Sequence, residues 1–255
     1  MKKILVIGDS CKDEFIYGEC DRICPEAPVP IFKSIESVIN VGMAENVYAN
    51  LMTLDIDVDI ITNKIKPIKK RLIEINSNQM IVRIDENDNI IPIKRKILEN
   101  INYHLYDAII ISDYDKGYLS QKDILFISKH HNLVFLDTKK NINWNWIDNI
   151  KFIKINEKEY EKNKKFLDEN YYNNLIVTLG KKGAFLKYME YLFNINFPVE
   201  NIENVRDISG AGDSFLAALV YKYLYTNDIK KAIHFANKCA SQVIQKRGVS
   251  LIGKN

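Results

Sequence analysis

One short segment of the sequence combines a carboxylate with small residues in a pattern that suits phosphoryl transfer. Asp213 follows three small residues and precedes an apolar helical stripe; the three are Gly210, Ala211 and Gly212. Small residues there leave the amides at a helix N-terminus open to a phosphate, and the helix dipole favours an ionised Asp213. A base beside an anion pocket is what transfer of a phosphoryl group to an alcohol requires. We therefore expect Asp213 to face an open pocket, although an ordinary capped helix would explain the same residues.

Polar residues also follow the short apolar runs of the chain. Runs typical of strands buried on both faces are Ile4–Ile7, Ala108–Ile111, Leu133–Leu136, Phe152–Ile155 and Leu175–Val177. The polar residues after them include Asp9, Ser112 to Tyr114, Asp137 to Lys139, Asn156 and Thr178. Because ligands bind at the carboxyl ends of parallel strands, one cleft could gather these residues. The alternative is that they form helix caps and turns, which we favour for Ser120 with Asp123.

The apolar runs alternate with segments of helical period, of which the clearest are 215–223 and 229–244. This alternation predicts an α/β fold with a mostly parallel sheet and helices on both faces. Two stretches, 28–40 and 69–93, interrupt the pattern, and alternating polarity in them indicates strands with one wet face. We expect a single domain over 1–255 in which these stretches form a small inserted β-sheet lid.

Composition excludes several classes of function. The 255 residues are 47% hydrophobic and 27% charged, as in a globular protein. The formal net charge of +3 is spread thinly, so nucleic acid is not an expected partner. No apolar run approaches the roughly 18 residues of a membrane span. The four cysteines and four histidines are too scattered for an obvious zinc site, and free thiols suit a cytoplasmic protein.

Several segments resemble a known family. Residues 207–213 read D-I-S-G-A-G-D, which resembles the signature D-T-x-G-A-G-D of the ribokinase-like carbohydrate kinases. Residues 22–30, 112–119, 136–139 and 235–237 resemble motifs of the branch that phosphorylates D-glycero-D-manno-heptose 7-phosphate at its anomeric hydroxyl. The motifs run from Val6 to about Gly248. The resemblance implies a three-layer α/β/α fold with a β-lid, the cofactors ATP and Mg²⁺, and a homodimer formed through the lids.

The resemblance also implies roles for individual residues. Asp213 matches the catalytic base, and the amides of residues 210–212 match the anion hole. Positions that match sugar-binding residues are Asp13, Gly42 and Asn46. Positions that match the nucleotide site are Asn156, Glu159, Thr178, Gly180, Gly183 and Asn237, with Glu159 also the expected Mg²⁺ residue, acting through water. Candidates for the anionic groups of the substrates, or else solvated surface charges, are Arg83, Lys116 and Lys139.

Some positions depart from the family pattern. Where the family has G-G-A-A-N, residues 42–46 read G-M-A-E-N, and Met43 replaces a glycine that lets the backbone approach the sugar. Ser77 falls where the branch usually has an arginine, and the connector between Thr62 and Lys70 is short. A kinase for another sugar, sugar phosphate or nucleoside therefore stays open, as does a non-catalytic binding module. No nucleotidyltransferase half follows the last motif, so we expect any adenylyl transfer to need a separate protein.

Overall fold

The computed structural model describes residues 2–170, 174–187, 194–199 and 205–253 and contains two β-sheets. The strands of the larger sheet are β1 (Lys3–Gly8), β4 (Asp57–Thr62), β7 (Ala108–Asp113), β8 (Val134–Thr138), β9 (Phe152–Asn156), β10 (Asn174–Thr178), β11 (Ala184–Lys187) and β12 (Ile195–Phe197). Their order is β12-β11-β10-β9-β8-β7-β1-β4, and only the pairs β10/β11 and β11/β12 are antiparallel. The predicted mostly parallel sheet is confirmed.

Helices cover both faces of this sheet. They are α1 (Ala44–Thr53), α2 (Arg95–Glu99), α3 (Gln121–His130), α4 (Trp144–Ile147), α5 (Glu157–Asn170), α6 (Ala211–Thr226) and α7 (Ile229–Val243). Alternate residues of β1 enter different cores: Ile4 packs with α1, α6 and α7, whereas Leu5 packs with the α3 and α5 side. A strand buried on both faces must be apolar at every position, which is why the runs are continuous. Ser120 and Asp123 form the predicted capping box of α3.

The smaller sheet forms the predicted lid. Its strands are β2 (Ser10–Ile23), β3 (Pro30–Met43), β5 (Ile68–Glu74) and β6 (Met80–Glu86), in the order β3-β2-β5-β6. The sequence did not predict β2, whose polar residues obscure the alternation of buried Cys11, Asp13 and Phe15. The stretch 87–93, expected in the lid, lies outside its strands.

Two further expectations concern the cysteines and the membrane. All four cysteines are unpaired, as expected. Among the residues that the structure describes, none of the helices combines the length and the apolar character that crossing a bilayer demands.

Candidate active site

Asp213 lies in the first turn of α6, at the carboxyl edge of the larger sheet. It is only 3% exposed, and both of its carboxylate oxygens accept hydrogen bonds. The Tyr114 hydroxyl donates to Oδ1 at 2.6 Å, and the Asn46 amide donates to Oδ2 at 3.0 Å. The expectation of an open pocket at Asp213 is therefore wrong for this structure, because Tyr114 and Asn46 cover the carboxylate.

The pKa of Asp213 is higher than its position at a helix N-terminus predicts. Burial raises the pKa of Asp213 to about 6, although the hydrogen bonds from Tyr114 and Asn46 oppose the rise. The cost of removing a carboxylate from water thus outweighs the help that its position in a first helical turn provides. At pH 7 the carboxylate is still mostly ionised, with a pKa close to the range in which a general base works best.

The two glycines in the segment before Asp213 occupy positions where a side chain would not fit easily. Gly210 caps α6 with φ 80°, and a Cβ there would lie 2.6 Å from the Asn46 amide nitrogen. Only glycine meets both conditions without strain. A Cβ on Gly212 would lie 3.1 Å from Lys154 Nζ, so this glycine brings the backbone close to a cation. The Ala211 N–H donates to the Ile208 carbonyl at 3.3 Å, so it has a partner within the chain, unlike the free amide that the anion hole implied.

A buried ion pair lies beside this segment. Lys154, on β9, bonds to Asp137, on β8, at 2.7 Å, and both residues are less than 10% exposed. Burial alone would lower the pKa of Lys154, but Asp137 outweighs it and holds that pKa above its ordinary value. Lys154 therefore carries a fixed positive charge next to Gly212. This charge was not predicted from the sequence, although a lysine inside the apolar run 152–155 was the available signal.

The three residues matched to sugar binding lie together where the lid meets the body. Asn46 contacts Asp213, as described, and Asp13 lies against Gly42, where a Cβ would approach within 2.2 Å of the Asp13 carboxylate. Asp13 is buried and bonds to Arg71, on β5, at 2.6 Å. Arg71 was not singled out from the sequence, because the ion pair joins positions far apart in the chain.

The residues at positions 43 and 45, which differ from the family pattern, have specific local surroundings in the structure. Met43 has φ 62° and is 2% exposed, so a side chain is buried here on a backbone conformation that glycine adopts far more easily, at some cost in strain. Glu45 forms an ion pair of 2.6 Å with Lys66, in the short connector between β4 and β5. The altered 42–46 segment and the shortened connector are therefore linked by one contact.

The basic candidates occupy different positions. Lys139 lies over the Tyr114 ring, with Nζ 4.0 Å from the ring centroid. Loss of water around it lowers the pKa of Lys139, and Glu159 opposes that change. Arg83 is on the lid and bonds to Asp85 through two nitrogens, whereas Lys116 pairs with Asp88. Of the three, Lys139 is the one that the structure places in contact with a residue touching Asp213.

The residues matched to nucleotide binding form contacts within the chain. The Asn156 N–H and side-chain amide both donate to the Glu159 carboxylate, and the Glu159 N–H returns a bond to Asn156 Oδ1 at 3.0 Å. This pair caps the start of α5, which is the alternative that strand-end residues left open. Thr178 pairs with Asn156 across β10 and β9. The cap does not exclude a role beside a nucleotide, so that role stays a prediction.

Two of the three remaining nucleotide positions, Gly183 and Asn237, contact Phe197, on β12. The Asn237 amide donates to the Phe197 carbonyl at 2.9 Å, and a Cβ on Gly183 would lie 2.1 Å from the same oxygen. Gly180 and Gly183 both have positive φ, of 57° and 91°, in the turn after β10. Asn237 and Gly183 thus hold β12 in place in this structure.

The residues present suit Mg²⁺ bound through water. Within the described ranges, no group of three or more His, Cys, Asp or Glu could hold a metal by itself. Burial and the neighbouring Asp137 carboxylate raise the pKa of Glu159, so the two carboxylates repel one another. Mg²⁺ binds through one or two carboxylates together with waters and substrate phosphates, and Glu159 with Asp137 fits that donor set.

Comparison with known proteins identifies the family. A family model described as pfkB family carbohydrate kinase matches residues 44–253. The chain belongs to this family. The bifunctional protein HldE of Helicobacter pylori (strain HPAG1) is 32% identical over 98% of this chain and 64% of its own length. HldE of a Nitratiruptor species is 30% identical over 97% of this chain and 62% of its own length. The chain thus spans less than two thirds of the length of these relatives.

Solved structures show the fold of the family. Ribokinase from Thermotoga maritima superposes with a TM-score of 0.70 at 19% identity, covering 98% of this chain and 95% of that one. Arabidopsis thaliana ribokinase complexed with ribose and ATP also gives 0.70, at 16% identity over 98% and 95%. The ribokinase-like fold and the resemblance through residues 207–213 are confirmed. This assignment rests on the comparisons and not on an open pocket at Asp213.

Proposed function

We propose that the chain is an ATP-dependent sugar kinase in which Asp213 is the general base. The observation that carries the proposal is the position of Asp213 at the start of α6, between the Gly210–Gly212 segment and the sugar-site residue Asn46. Asp213 would accept the proton of the sugar hydroxyl as its oxygen attacks the γ-phosphorus of ATP. The bond from the γ-phosphorus to the bridging oxygen breaks, and ADP leaves with the electron pair.

The chain supplies donors for the charge of the transferred group. We propose that the main-chain amides at the start of α6, apart from that of Ala211, face the transferred group, and Lys154 adds a fixed positive charge beside Gly212. Bound Mg²⁺, which Glu159 and Asp137 would hold through water, would neutralise charge on the phosphates. We propose that the turn at Thr178, Gly180 and Gly183 follows the nucleotide, with Asn237 near the adenine.

The charge around the cleft favours a phosphorylated sugar as the acceptor. Strand register places Arg71 and Arg83 on the same face of the lid as Phe15, which packs against the body. Lys69 and Lys139 approach the Tyr114 ring from the lid and from the body. We propose that Arg71 and Arg83, which pair with Asp13 and Asp85 in the chain by itself, turn to the anionic groups of the acceptor and so replace the cation that Ser77 does not provide.

A cavity lined by Arg71 offers space for the phosphorylated end of such a sugar. Its volume is about 220 Å³, between the lid and the loop before α6, and Arg71, Asn78 and Ser209 line it. Together with the motifs at 22–30 and 112–119, this favours D-glycero-D-manno-heptose 7-phosphate, phosphorylated at the anomeric hydroxyl to the 1,7-bisphosphate. Lys116, bonded to Asp88, is the least favoured of the basic candidates.

An acceptor panel tests the proposed substrate. Purified protein with ATP and Mg²⁺ would be offered heptose 7-phosphate, the unphosphorylated heptose, ribose and a nucleoside, with ADP release and ³¹P NMR as readouts. We expect saturable ADP release at low concentration with heptose 7-phosphate alone. Faster turnover of ribose or the nucleoside would contradict the proposed acceptor but not the kinase. ATP failing to bind by calorimetry would favour the non-catalytic binding module.

We further propose that the chain is one cytoplasmic domain that forms a homodimer through its lid. The outward face of the lid carries Ile39, Val82 and Ile84, each more than 40% exposed, and strand register places all three on one side. Burying such a face against a second copy would remove apolar surface from water. A separate nucleotidyltransferase would convert the product to a nucleotide sugar. The relatives are described as bifunctional, which is consistent with a second enzyme activity that acts together with the kinase.

A further inference from the structure

The tyrosine that follows β7 touches the carboxylate of the proposed base, and the mechanism above gives it no role. Tyr114 Oη lies 2.6 Å from Asp213 Oδ1, the shorter of the two hydrogen bonds that this carboxylate accepts. The other oxygen is held by Asn46, whose own orientation is fixed because Asn50 donates to its Oδ1 at 3.0 Å. Asp213 therefore has one donor on each oxygen, supplied by different elements.

The main chain around Tyr114 is anchored by buried carboxylates. The Tyr114 N–H donates at 2.7 Å to Asp9, which is 1% exposed at the end of β1. The preceding Asp113 is equally buried and accepts bonds from Thr138 and from Lys140 Nζ, the latter at 2.6 Å. These contacts fix the loop to β1 and β8. The phenol thus reaches Asp213 from a firmly held backbone.

Two lysine side chains lie near the Tyr114 ring. Lys139 Nζ is 4.0 Å from the ring centroid, and Lys69 Nζ, on β5 of the lid, is 5.6 Å from it. Burial and the nearby Asp213 carboxylate nevertheless raise the pKa of the Tyr114 phenol well above its ordinary value. A phenol that keeps its proton can only donate to the carboxylate, and donation to the ionised form favours that form.

We propose that Tyr114 is a positioning residue for the general base: its hydroxyl fixes Asp213 Oδ1 and keeps the buried carboxylate ionised at neutral pH. The inference rests on the proposed function, since it assumes that Asp213 takes the proton. The other titratable groups that face Asp213 are Cys11, Asp137, Lys139 and Lys154, from β2, the end of β8 and β9. The tyrosine makes the shortest contact with the carboxylate.

The test is a direct titration of Asp213 in the full chain without substrates. Aspartate labelled with ¹³C at the carboxyl carbon would be followed by NMR against pH, with the Asp213 signal assigned by its loss in Asp213→Asn. The wild-type midpoint is expected at about pH 6. In Tyr114→Phe we expect a midpoint about one pH unit higher, the size expected for loss of one hydrogen bond to a charged group.

Two further variants sharpen the test. Tyr118→Phe is the matched control, because Tyr118 is a buried tyrosine of the same loop, and its removal should leave the midpoint unchanged. Replacement of Tyr114 by 3-fluorotyrosine, a stronger donor, should lower the midpoint, which a purely structural role does not predict. With ATP and heptose 7-phosphate, the acid limb of kcat/KM should move in the same directions.

The outcomes separate this inference from the proposed function. A Tyr114→Phe midpoint equal to that of the wild type would overturn the role of Tyr114, even if Asp213 proves essential for turnover. If the midpoint rises by about one pH unit in Tyr114→Phe but Asp213→Asn still turns over substrate, Asp213 is not the base. A shift of the midpoint together with the acid limb of kcat/KM supports both.

Discussion

At the scale of single residues, the proposed chemistry depends on a carboxylate that the fold keeps in an unfavourable place. Asp213 is buried and its pKa is about 6, so its ionised form is costly to the folded chain. The same elevation brings the pKa close to neutral pH, where a base can both lose and accept a proton. Stability and activity should therefore depend on pH in opposite directions.

The pH dependence of stability follows from the sign of that shift. The folded-state pKa of Asp213 lies above its ordinary value of 3.8, so the stability that the protonated form contributes is lost as pH rises through about 6. Asp213→Asn removes this titration. We predict that the variant's free energy of unfolding, relative to wild type, increases by about 2.5 kcal/mol between pH 4 and pH 8. Urea unfolding at several pH values measures it, and a difference independent of pH would contradict the raised pKa.

At the scale of elements, strands β8 and β9 are joined by the buried pair of Asp137 and Lys154. Removing one partner leaves the other charge buried and unpaired. We predict that Lys154→Met lowers the free energy of unfolding by about 3–5 kcal/mol. The matched control is Lys164→Met, which breaks the exposed pair with Glu161 and should change it by less than about 1 kcal/mol. Equal effects of the two variants in urea unfolding would argue against the buried pair.

The turn between β10 and β11 permits a comparison of two glycines. Both have positive φ, but a Cβ would meet the Phe197 carbonyl at 2.1 Å from Gly183 and nothing within 4 Å from Gly180. Gly180→Ala should cost about 1–2 kcal/mol, because a residue with a side chain must then adopt a left-handed backbone. Gly183→Ala should cost more, because β12 must also move. Thermal unfolding of the two variants tests the order, and a reversed order would exclude the close approach.

The elements themselves show what could be read from the sequence. The continuous run Ile4–Ile7 predicted β1, since burial on both faces demands apolar residues at every position. Asp213 and Asn46 could be selected from local motifs, but their contact joins α6 to α1 and depends on packing. The lid strand β2 and the ion pair of Arg71 could not be predicted. Their buried polar groups are tolerated only because partners distant in sequence satisfy them.

At the scale of the whole molecule, the apolar outward face of the lid is the feature that a single chain leaves unexplained. We predict a homodimer, seen by light scattering as twice the chain mass of 29.6 kDa. Val82→Asp places a charge in that face and should yield the monomer. The matched control is Ile91→Asp, which alters an isoleucine that is 68% exposed but lies outside the lid strands. A wild-type monomer, or a dimer that survives Val82→Asp, would exclude this interface.

The proposed function also requires that fold, charge and base act together on one reaction. In that proposal the larger sheet holds α6, the basic residues bind an anionic acceptor, and Asp213 takes the proton. A non-catalytic chain that kept only the family fold would not need a base at position 213.

The most direct test of that claim is the transfer of phosphate from γ-labelled ATP to heptose 7-phosphate by wild type and by Asp213→Asn. General-base catalysis contributes about 10²–10⁴-fold, so we predict that the variant binds ATP normally while its kcat falls at least ~100-fold. Turnover by the variant close to that of the wild type would contradict the central role of Asp213.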